Sequence, residues 1–272
     1  MTRSQTLNKF VPALLICASL TYLAQFAHAQ KADPKDPQNE VRGRELLKQV
    51  IEARGGALYL KFKTLHATGQ YTPFDQGVST MPLAFQDWIV YPDKERVEFG
   101  KGRKKNRRIQ VNTGQTGWVY DGDVETLKDQ SEKQVKEFLD GIENDLDHIL
   151  RVAVHKPGAE VRFYGRQETR PGERADVLEL KLKPEQTVYL LLDRNTHLPL
   201  SLSYEKTENK GLSKHEVRYF QYVSYDGVKF PNIVDFYKDS IQESRINYDM
   251  VKPDAPVPDE LFVKPPSVKA IK

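Results

Sequence analysis

Alternation of apolar and polar residues predicts that the chain ends in a three-stranded antiparallel meander. The alternation runs over 216–225, 228–238 and 242–251, so each segment would bury one face of a strand. Asp226 and Gly227 separate the first two segments, and an Asp-Gly pair there predicts a two-residue hairpin turn, because both turn residues adopt positive φ. The upstream chain must therefore pack against this meander.

Two segments carry the period of a helix. Residues 39–54 place apolar side chains on one stripe, and Gly55 and Gly56 then end the helix. Residues 131–154 repeat apolar positions at i, i+3, i+4 and i+7 over about six turns, which predicts one long helix capped by Ser131. Because one face of this helix is apolar throughout, it must lie on a large apolar surface.

Shorter alternating runs, bounded by turn residues, predict strands along the rest of the chain. With the meander they bring the total to about ten to twelve strands, so the predicted fold class is α+β and mostly β. The predicted strands are 64–72, 82–91, 94–99, 107–112, 117–120, 160–168, 175–183, 187–194 and 198–207.

The first 29 residues have the composition of a secretory signal peptide. Arg3 and Lys9 precede a mostly apolar stretch over 10–26, and a small-x-small site ends at Ala29, where we expect cleavage. A retained membrane anchor is the alternative interpretation. Pro12 and several polar residues interrupt the apolar stretch, which favours the signal peptide.

Residues 30–38 are charged and carry two prolines, which predicts a disordered leader. We expect a single domain over 39–266 and a short tail over 267–272. The one cysteine, Cys17, lies in the signal peptide behind the bulky Ile16, which disfavours lipidation. The mature chain therefore offers neither a disulfide nor thiol chemistry.

The charge balance of the mature chain gives no indication of a nucleic-acid-binding protein. Once Arg3 and Lys9 are removed, 39 basic and 38 acidic residues remain, a net charge of +1. No later segment is long and apolar enough to predict a membrane-spanning helix.

No catalytic motif stands out in the sequence. Asp145, Asp147 and His148 lie close together in the predicted long helix, but they fall outside its apolar stripe, so we expect them to face solvent and not to hold a metal. Asp121 and Asp123 flank Gly122 and are expected to be turn residues. The sequence therefore predicts a protein that is not an enzyme and has neither a metal nor a cofactor.

A basic run at a predicted hairpin is the strongest charge feature. Two interpretations stay open: a solvated loop, or contact with an anionic surface such as lipid headgroups, an acidic partner or a phosphate. Nucleic acid is not expected as a partner of an exported protein. The basic residues are Lys101, Arg103, Lys104, Lys105, Arg107 and Arg108.

Four motifs, spread over nearly the whole mature chain, occur in a recognisable order. A helix ending in Gly55-Gly56 leads into a Lys-Thr-Leu-x-Ala-x-Gly strand over 63–69. Near the end, Asp-Gly-Val-Lys-Phe-Pro over 226–231 is followed by a proline-rich link to Asp-Glu-Leu-Phe over 259–262. This combination resembles the LolA-like superfamily of periplasmic lipoprotein carriers, their outer-membrane receptors and outer-membrane lipoprotein-sorting proteins.

The resemblance implies a strongly curved, incomplete antiparallel β-barrel whose helices cover an apolar cavity, with no cofactor. It implies an exported, periplasmic carrier or binding protein that sequesters a lipid or a lipoprotein acyl chain, with a place in outer-membrane lipoprotein sorting. No local motif marks a counterpart of the acyl-binding arginine of the classical carriers, so the cargo stays open. We expect the protein to act as a monomer.

The residue pattern allows a cavity, because a sheet this wide has an apolar face that one helix cannot cover. On the residues alone a core that side chains fill completely is favoured, and the resemblance shifts the expectation to a cavity. The alternatives are a core that side chains fill completely, and an envelope sensor or interaction module of the same fold without carrier activity. The predicted lining residues are Trp88, Phe138, Leu139, Ile142, Leu180, Leu190, Leu202, Tyr204 and Phe236.

Overall fold

The computed structural model describes residues 30–33, 36–100, 106–208 and 211–271, and in this part of the chain it holds fifteen strands and four α-helices. The predicted signal peptide lies outside the described residues. The helices are α1 (Gln38–Arg54), α2 (Ala57–Lys61), α3 (Glu132–Glu143) and α4 (Leu146–Arg151), with short 3-10 helices at Ala153–His155, Asp259–Phe262 and Val268–Ala270.

The strands form one antiparallel sheet. They are β1 (Gln30–Lys31), β2 (Thr64–Asp75), β3 (Val78–Ser79), β4 (Leu83–Val90), β5 (Lys94–Phe99), β6 (Arg108–Thr113), β7 (Gly117–Asp121), β8 (Thr126–Asp129), β9 (Glu160–Arg170), β10 (Glu173–Lys183), β11 (Gln186–Leu192), β12 (Pro199–Glu208), β13 (Gly211–Tyr225), β14 (Val228–Lys238) and β15 (Ile241–Pro253). The three strands that the sequence did not predict, β1, β3 and β8, are short. The predicted mostly-β class is confirmed.

The sheet is open and does not close into a barrel. Its order is β1, then β9 to β15 in sequence, then β2 and β4 to β8, with β3 paired to β2 as a hairpin. The predicted Asp-Gly turn joins β13 to β14, and both residues have positive φ, 50° at Asp226 and 83° at Gly227. Nearly every other connection is also a local hairpin, so the meander predicted at the end continues through most of the sheet.

The main core lies on one face of the sheet, which we call the concave face. There Leu178, Leu190 and Leu202 are cross-strand neighbours on β10, β11 and β12, and all three are 0% exposed. Burying such a side chain stabilises the fold by about 1.5–3 kcal/mol. Helix α1 packs closely on β9, where a Cβ on Gly43 would come within 2.7 Å of the Arg162 backbone.

The opposite, convex face has its own smaller core near the C-terminus. Trp118 on β7 donates a hydrogen bond from Nε1 to the Phe262 carbonyl at 2.9 Å, and Arg96 on β5 donates to the Leu261 carbonyl at 2.6 Å. Ile271 is buried in the same cluster. The segment expected to be a tail, residues 267–272, is therefore packed on the sheet as far as Ile271.

The first residues of the leader predicted over 30–38 pair with the edge strand β9. Gln30 and Lys31 pair with Arg166 and Gly165 of β9, and the Ala32 amide donates to the Tyr164 carbonyl at 2.9 Å. Such backbone pairing with a sheet edge depends little on the polar side chains of the added strand. Disorder of the leader in solution remains a prediction.

The prediction of one long helix over 131–154 is wrong, because the helix is broken between α3 and α4. Ser131 caps α3 as expected, with the reciprocal Gln134 contact. Asp145, however, has an extended backbone, and its carboxylate accepts hydrogen bonds from the amides of Asp147 and His148. An aspartate that caps a new helix competes with continuation of the old one. The helical spacing of apolar residues continues through the break, so the sequence pattern does not show where the helix ends.

Candidate ligand cavity

Helices α3 and α4 cross the concave face and leave two adjoining cavities beneath them. The inner cavity has a volume of about 350 Å³ and the outer about 300 Å³, and both are bounded by Ile89, Tyr91, Gly141 and Asp145. These volumes are at the lower end of the range for small-ligand sites. The apolar wall of the inner cavity comes from Leu65, Val217, Phe230, Val234, Phe236 and Val251.

Helix α3 covers the outer cavity with an apolar face that is only partly buried. Among the residues of α3, all of which are described, Val135 alone is buried. Ion pairs at the helix edge join it to the sheet: Lys206 lies 2.9 Å from Asp140, and Lys183 lies 2.6 Å from Glu143. Partly exposed pairs of this kind contribute about 0–1 kcal/mol each. The helix is therefore weakly held.

Helix α4 is anchored much more firmly than α3. Leu146, Ile149 and Leu150 are buried in the main core, the last two with 0% exposure. The cover of the cavities thus consists of a fixed part, α4, and a weakly held part, α3. The extended backbone of Asp145 joins the two parts.

A buried ion pair lies at the base of the inner cavity, between α1 and α4. Arg54, which is 1% exposed, donates to the Asp147 carboxylate at 2.9 Å and to the Lys229 carbonyl at 2.6 Å. The Tyr59 hydroxyl donates to the same Asp147 oxygen at 2.8 Å. The expectation that Asp147 faces solvent was wrong, because Asp147 forms an ion pair with a buried arginine of a helix that is distant in the sequence.

The environment keeps Arg54 charged. Burial works against the guanidinium, but Tyr59, Asp147 and Tyr222 outweigh it and raise the Arg54 pKa above its ordinary value. Burial, followed by the negative charge of Asp147, raises the pKa of Tyr59, so its hydroxyl stays protonated and donating. Nη1 of Arg54 has no hydrogen-bond partner among the described residues. This nitrogen is itself buried, so the guanidinium is not fully hydrogen-bonded within the protein.

Carboxyl groups with raised pKa values line the mouth of the cavities. Asp145 has a pKa of about 6, raised by burial and by Asp147, although two backbone amides oppose the shift. Asp145 borders both cavities, and part of the residue is exposed. Glu95 has a pKa of about 7, raised by burial and then by Asp145. Burial and Glu95 likewise raise the pKa of Asp87, which borders neither cavity. Near neutral pH this wall carries less negative charge than its composition suggests.

Replacing Glu95 by Gln should flatten the pH dependence of stability. The unfolded chain loses the Glu95 proton near its ordinary pKa of 4.5, but the folded protein holds it until about 7. Rising pH between these values favours the unfolded chain. We expect the free energy of unfolding of the wild type to fall between pH 5 and pH 8 by about 2–3 kcal/mol more than that of Glu95→Gln. Urea titrations at the two pH values measure this, and parallel curves would contradict the assigned pKa.

Four of the predicted lining residues lie on these cavities. Phe138 and Ile142 of α3 line the outer cavity, and Tyr204 and Phe236 line the inner one. The structure thus brings residues from α3, β12 and β14 to one cleft.

The other predicted lining residues lie elsewhere. Leu180, Leu190 and Leu202 are fully buried in the concave core and border none of the cavities described, and Leu139 is half-buried on α3 outside them. Trp88 pairs with His66 across β4 and β2, and the two rings are stacked with centroids 5.1 Å apart. Its neighbour Ile89 points into the cavities, so Trp88 lies on the convex face.

Sequence reasoning did not identify Arg54, Asp147, Ile89 or Tyr91 as part of the site. Arg54 is the last residue of α1, where a basic residue is common because it complements the helix dipole. The sequence held no signal for its partner, which is 93 positions away. For Ile89, the alternation of β4 showed two faces but not which of them is concave.

The basic run is only partly described. Lys101, Arg103, Lys104 and Lys105 lie outside the described residues. Arg107 lies 2.6 Å from Glu98, and Arg108 lies 3.1 Å from Asp123. Each of these two arginines therefore has a carboxylate partner within the protein, although Glu98 also pairs with Arg96. Contact of the basic run with an anionic surface remains a prediction. Among the described residues, no helix is long and apolar enough to cross a membrane.

The fold is shared with solved structures of low sequence identity. A LolA superfamily protein from Nitrosomonas europaea matches with a TM-score of 0.51 and 15% identity, over 82% of this chain and 97% of that one. A DUF1329 family protein from Desulfovibrio piger matches with a TM-score of 0.55 and 12% identity, over 83% of this chain and 97% of that one. A putative outer membrane lipoprotein-sorting protein domain from Vibrio parahaemolyticus matches with a TM-score of 0.50 and 13% identity, over 82% of this chain and 97% of that one.

Comparison of the sequence alone gives no match to a family model or to a curated protein. At identities this low the structural likeness shows the fold and nothing more. The chain therefore has a LolA-like fold, as its motifs predicted.

Proposed function

We propose that the protein is an exported, periplasmic carrier or binding protein that sequesters a lipid or a lipoprotein acyl chain beneath α3, in outer-membrane lipoprotein sorting. The observation that carries this proposal is the pair of apolar cavities under a weakly held amphipathic helix. The names of two solved structures of the same fold, a LolA superfamily protein and a lipoprotein-sorting domain, are consistent with it.

The mechanism is removal of an acyl chain from water. Each buried CH₂ group contributes about 0.8 kcal/mol, so even part of a chain in the inner cavity would bind without any covalent step. Phe230, Val234 and Phe236 would contact the chain. The protein would need neither a cofactor nor a catalytic group.

Entry of the ligand requires part of the cover to move. We infer that α3 swings away at Asp145, because breaking its edge ion pairs costs little, and that α4 stays fixed through its buried leucines and through Asp147. The ligand would then displace no residue of the main core.

Titration with a fluorescent fatty acid tests the proposal. We expect saturable uptake with an emission increase, reversed by an excess of unlabelled lipid. A protein of the same fold that acts only as an interaction module would show no saturable uptake. A heat-unfolded sample is the control for nonspecific adsorption.

Export makes a separate prediction at the N-terminus. If residues 1–29 are a signal peptide, protein recovered from the periplasm should begin at Gln30. Intact-mass analysis would show this directly. Protein that retains Met1, or that carries a lipid on Cys17, would contradict the prediction.

A further inference from the structure

Three arginines converge on one carboxylate at the end of the sheet beneath α1. Nη2 of Arg42, on α1, lies 3.2 Å from Oδ1 of Asp176, on β10, and Nε of Arg166, on β9, lies 3.1 Å from the same oxygen. Nε of Arg194, in the β11–β12 connection, lies 3.9 Å from Oδ2. We call these four residues the arginine cluster.

A β-bulge creates the cluster. The pairing of β9 with β10 shifts at Gly165, so that Phe163 faces Leu178 and Arg166 faces Asp176. In a regular strand, residues three apart point to opposite faces. The extra residue turns Arg166 toward the face that α1 covers, and bulges often re-aim a side chain in this way. Arg42 is fixed from the other side, because its guanidinium lies 3.5 Å from the centre of the Phe163 ring.

The cluster has more positive charge than its own carboxylate can balance. Asp176 neutralises one of three guanidinium groups, which leaves an excess of two charges. Partial burial, and then the charges of Arg166 and Arg194, lower the pKa of Arg42 against the opposing effect of Asp176. No other carboxylate within the described residues forms ion pairs with three arginines.

The arginines remain accessible although Asp176 is buried. Their side chains are 41%, 35% and 45% exposed for Arg42, Arg166 and Arg194, against 9% for Asp176. The hydrogen bonds to Asp176 use one nitrogen each of Arg42 and Arg166, and Arg194 is too distant for one. Because each guanidinium carries five N–H donors, most of them are directed away from Asp176.

We propose that the arginine cluster is a binding site for a phosphate group. Guanidinium groups match phosphate oxygens with paired, charge-assisted hydrogen bonds, and several of them can bind one tetrahedral anion. Asp176 holds the arginines together without neutralising them, so the site is already formed before an anion arrives. The phosphate could be that of a lipid headgroup or free in solution. The site shares no residue with the cavities beneath α3.

Two probes distinguish the sources of the phosphate. One is inorganic phosphate, followed by calorimetry at low ionic strength. The other is a phosphatidylcholine vesicle with or without phosphatidic acid, followed by co-sedimentation. Binding of both probes would mean that the phosphate group is sufficient, and binding of phosphatidic acid vesicles alone would assign the site to a lipid headgroup. If the protein binds neither inorganic phosphate nor the phosphatidic acid vesicles, the proposal is overturned.

Variants link any binding to the cluster. Arg194→Gln removes a charge that makes no hydrogen bond to Asp176, so the fold should be unaffected, and the affinity should fall about tenfold. Arg42→Gln combined with Arg194→Gln should abolish binding. Arg218→Gln is the matched control, because Arg218 is also 41% exposed but has its own partner in Glu216. Binding that survives the double replacement, or that falls equally in Arg218→Gln, would refute the assignment. Uptake of the fatty-acid probe should not change in any of these variants.

Discussion

Replacing Asp147 by leucine should destabilise the protein by about 3–5 kcal/mol, the cost of leaving one member of a buried ion pair without its partner. Arg54 would stay charged at 1% exposure and would keep only the Lys229 carbonyl as its acceptor. Tyr59 would lose the acceptor of its hydroxyl in the same step. The effect is large because one carboxylate connects α1, α2 and α4.

The double variant Arg54→Met/Asp147→Leu separates the charge from the packing. Because it removes both charges, we expect it to be clearly more stable than Asp147→Leu alone. Arg218→Gln, which breaks a partly exposed pair, should change the free energy of unfolding by less than about 1 kcal/mol. Urea unfolding of the three variants gives these differences. Equal losses in the single and double variants would mean that the pair does not connect the helices as described.

Replacing Ile142 by tryptophan should abolish uptake of a fluorescent fatty acid with little loss of stability. In a filled core such a change overpacks the site and costs about 1–3 kcal/mol. Ile142 instead lines the outer cavity of about 300 Å³, where an indole ring has room and would occupy the space of the ligand. Phe138→Ala should likewise cost less than the about 3–5 kcal/mol typical of a buried phenylalanine.

Leu139→Trp is the matched control on the same helix. Leu139 is half-buried and borders neither cavity, so the added ring should leave uptake of the probe unchanged. Fluorescence titration and thermal unfolding of both tryptophan variants provide the measurements. If Ile142→Trp unfolds the protein while the wild type takes up no probe, α3 covers a solid core.

The strand framework could be predicted from the sequence because its signals are local. Alternation with period two, together with turn residues such as Asp226 and Gly227, needs no knowledge of distant contacts. The ladder of β13, β14 and β15 has the expected order for that reason. The break at Asp145 could not be predicted because the helical spacing of apolar residues runs through it unchanged. Whether the helix breaks depends on whether Asp145 caps a new helix or continues the old one.

The site was less predictable because it depends on which face of each strand is concave. Alternation on β4 separates Trp88 from Ile89 but does not say which of them meets the helices. The Arg54–Asp147 pair and the bulge at Gly165 depend on contacts between distant segments, and neither leaves a local pattern. Two of the three predicted residues of α3, Phe138 and Ile142, lie on the outer cavity because the stripe of an amphipathic helix marks its buried side, whereas Leu139 borders neither cavity.

The most direct test of the proposed function is to identify what the protein carries when it is isolated from the periplasm without detergent. We expect native mass spectrometry to show an added mass that organic extraction releases as a lipid or an acylated peptide, and that is missing from Ile142→Trp. A wild-type protein that has the mass of the bare polypeptide and takes up no acyl probe afterwards would contradict the proposed carrier function.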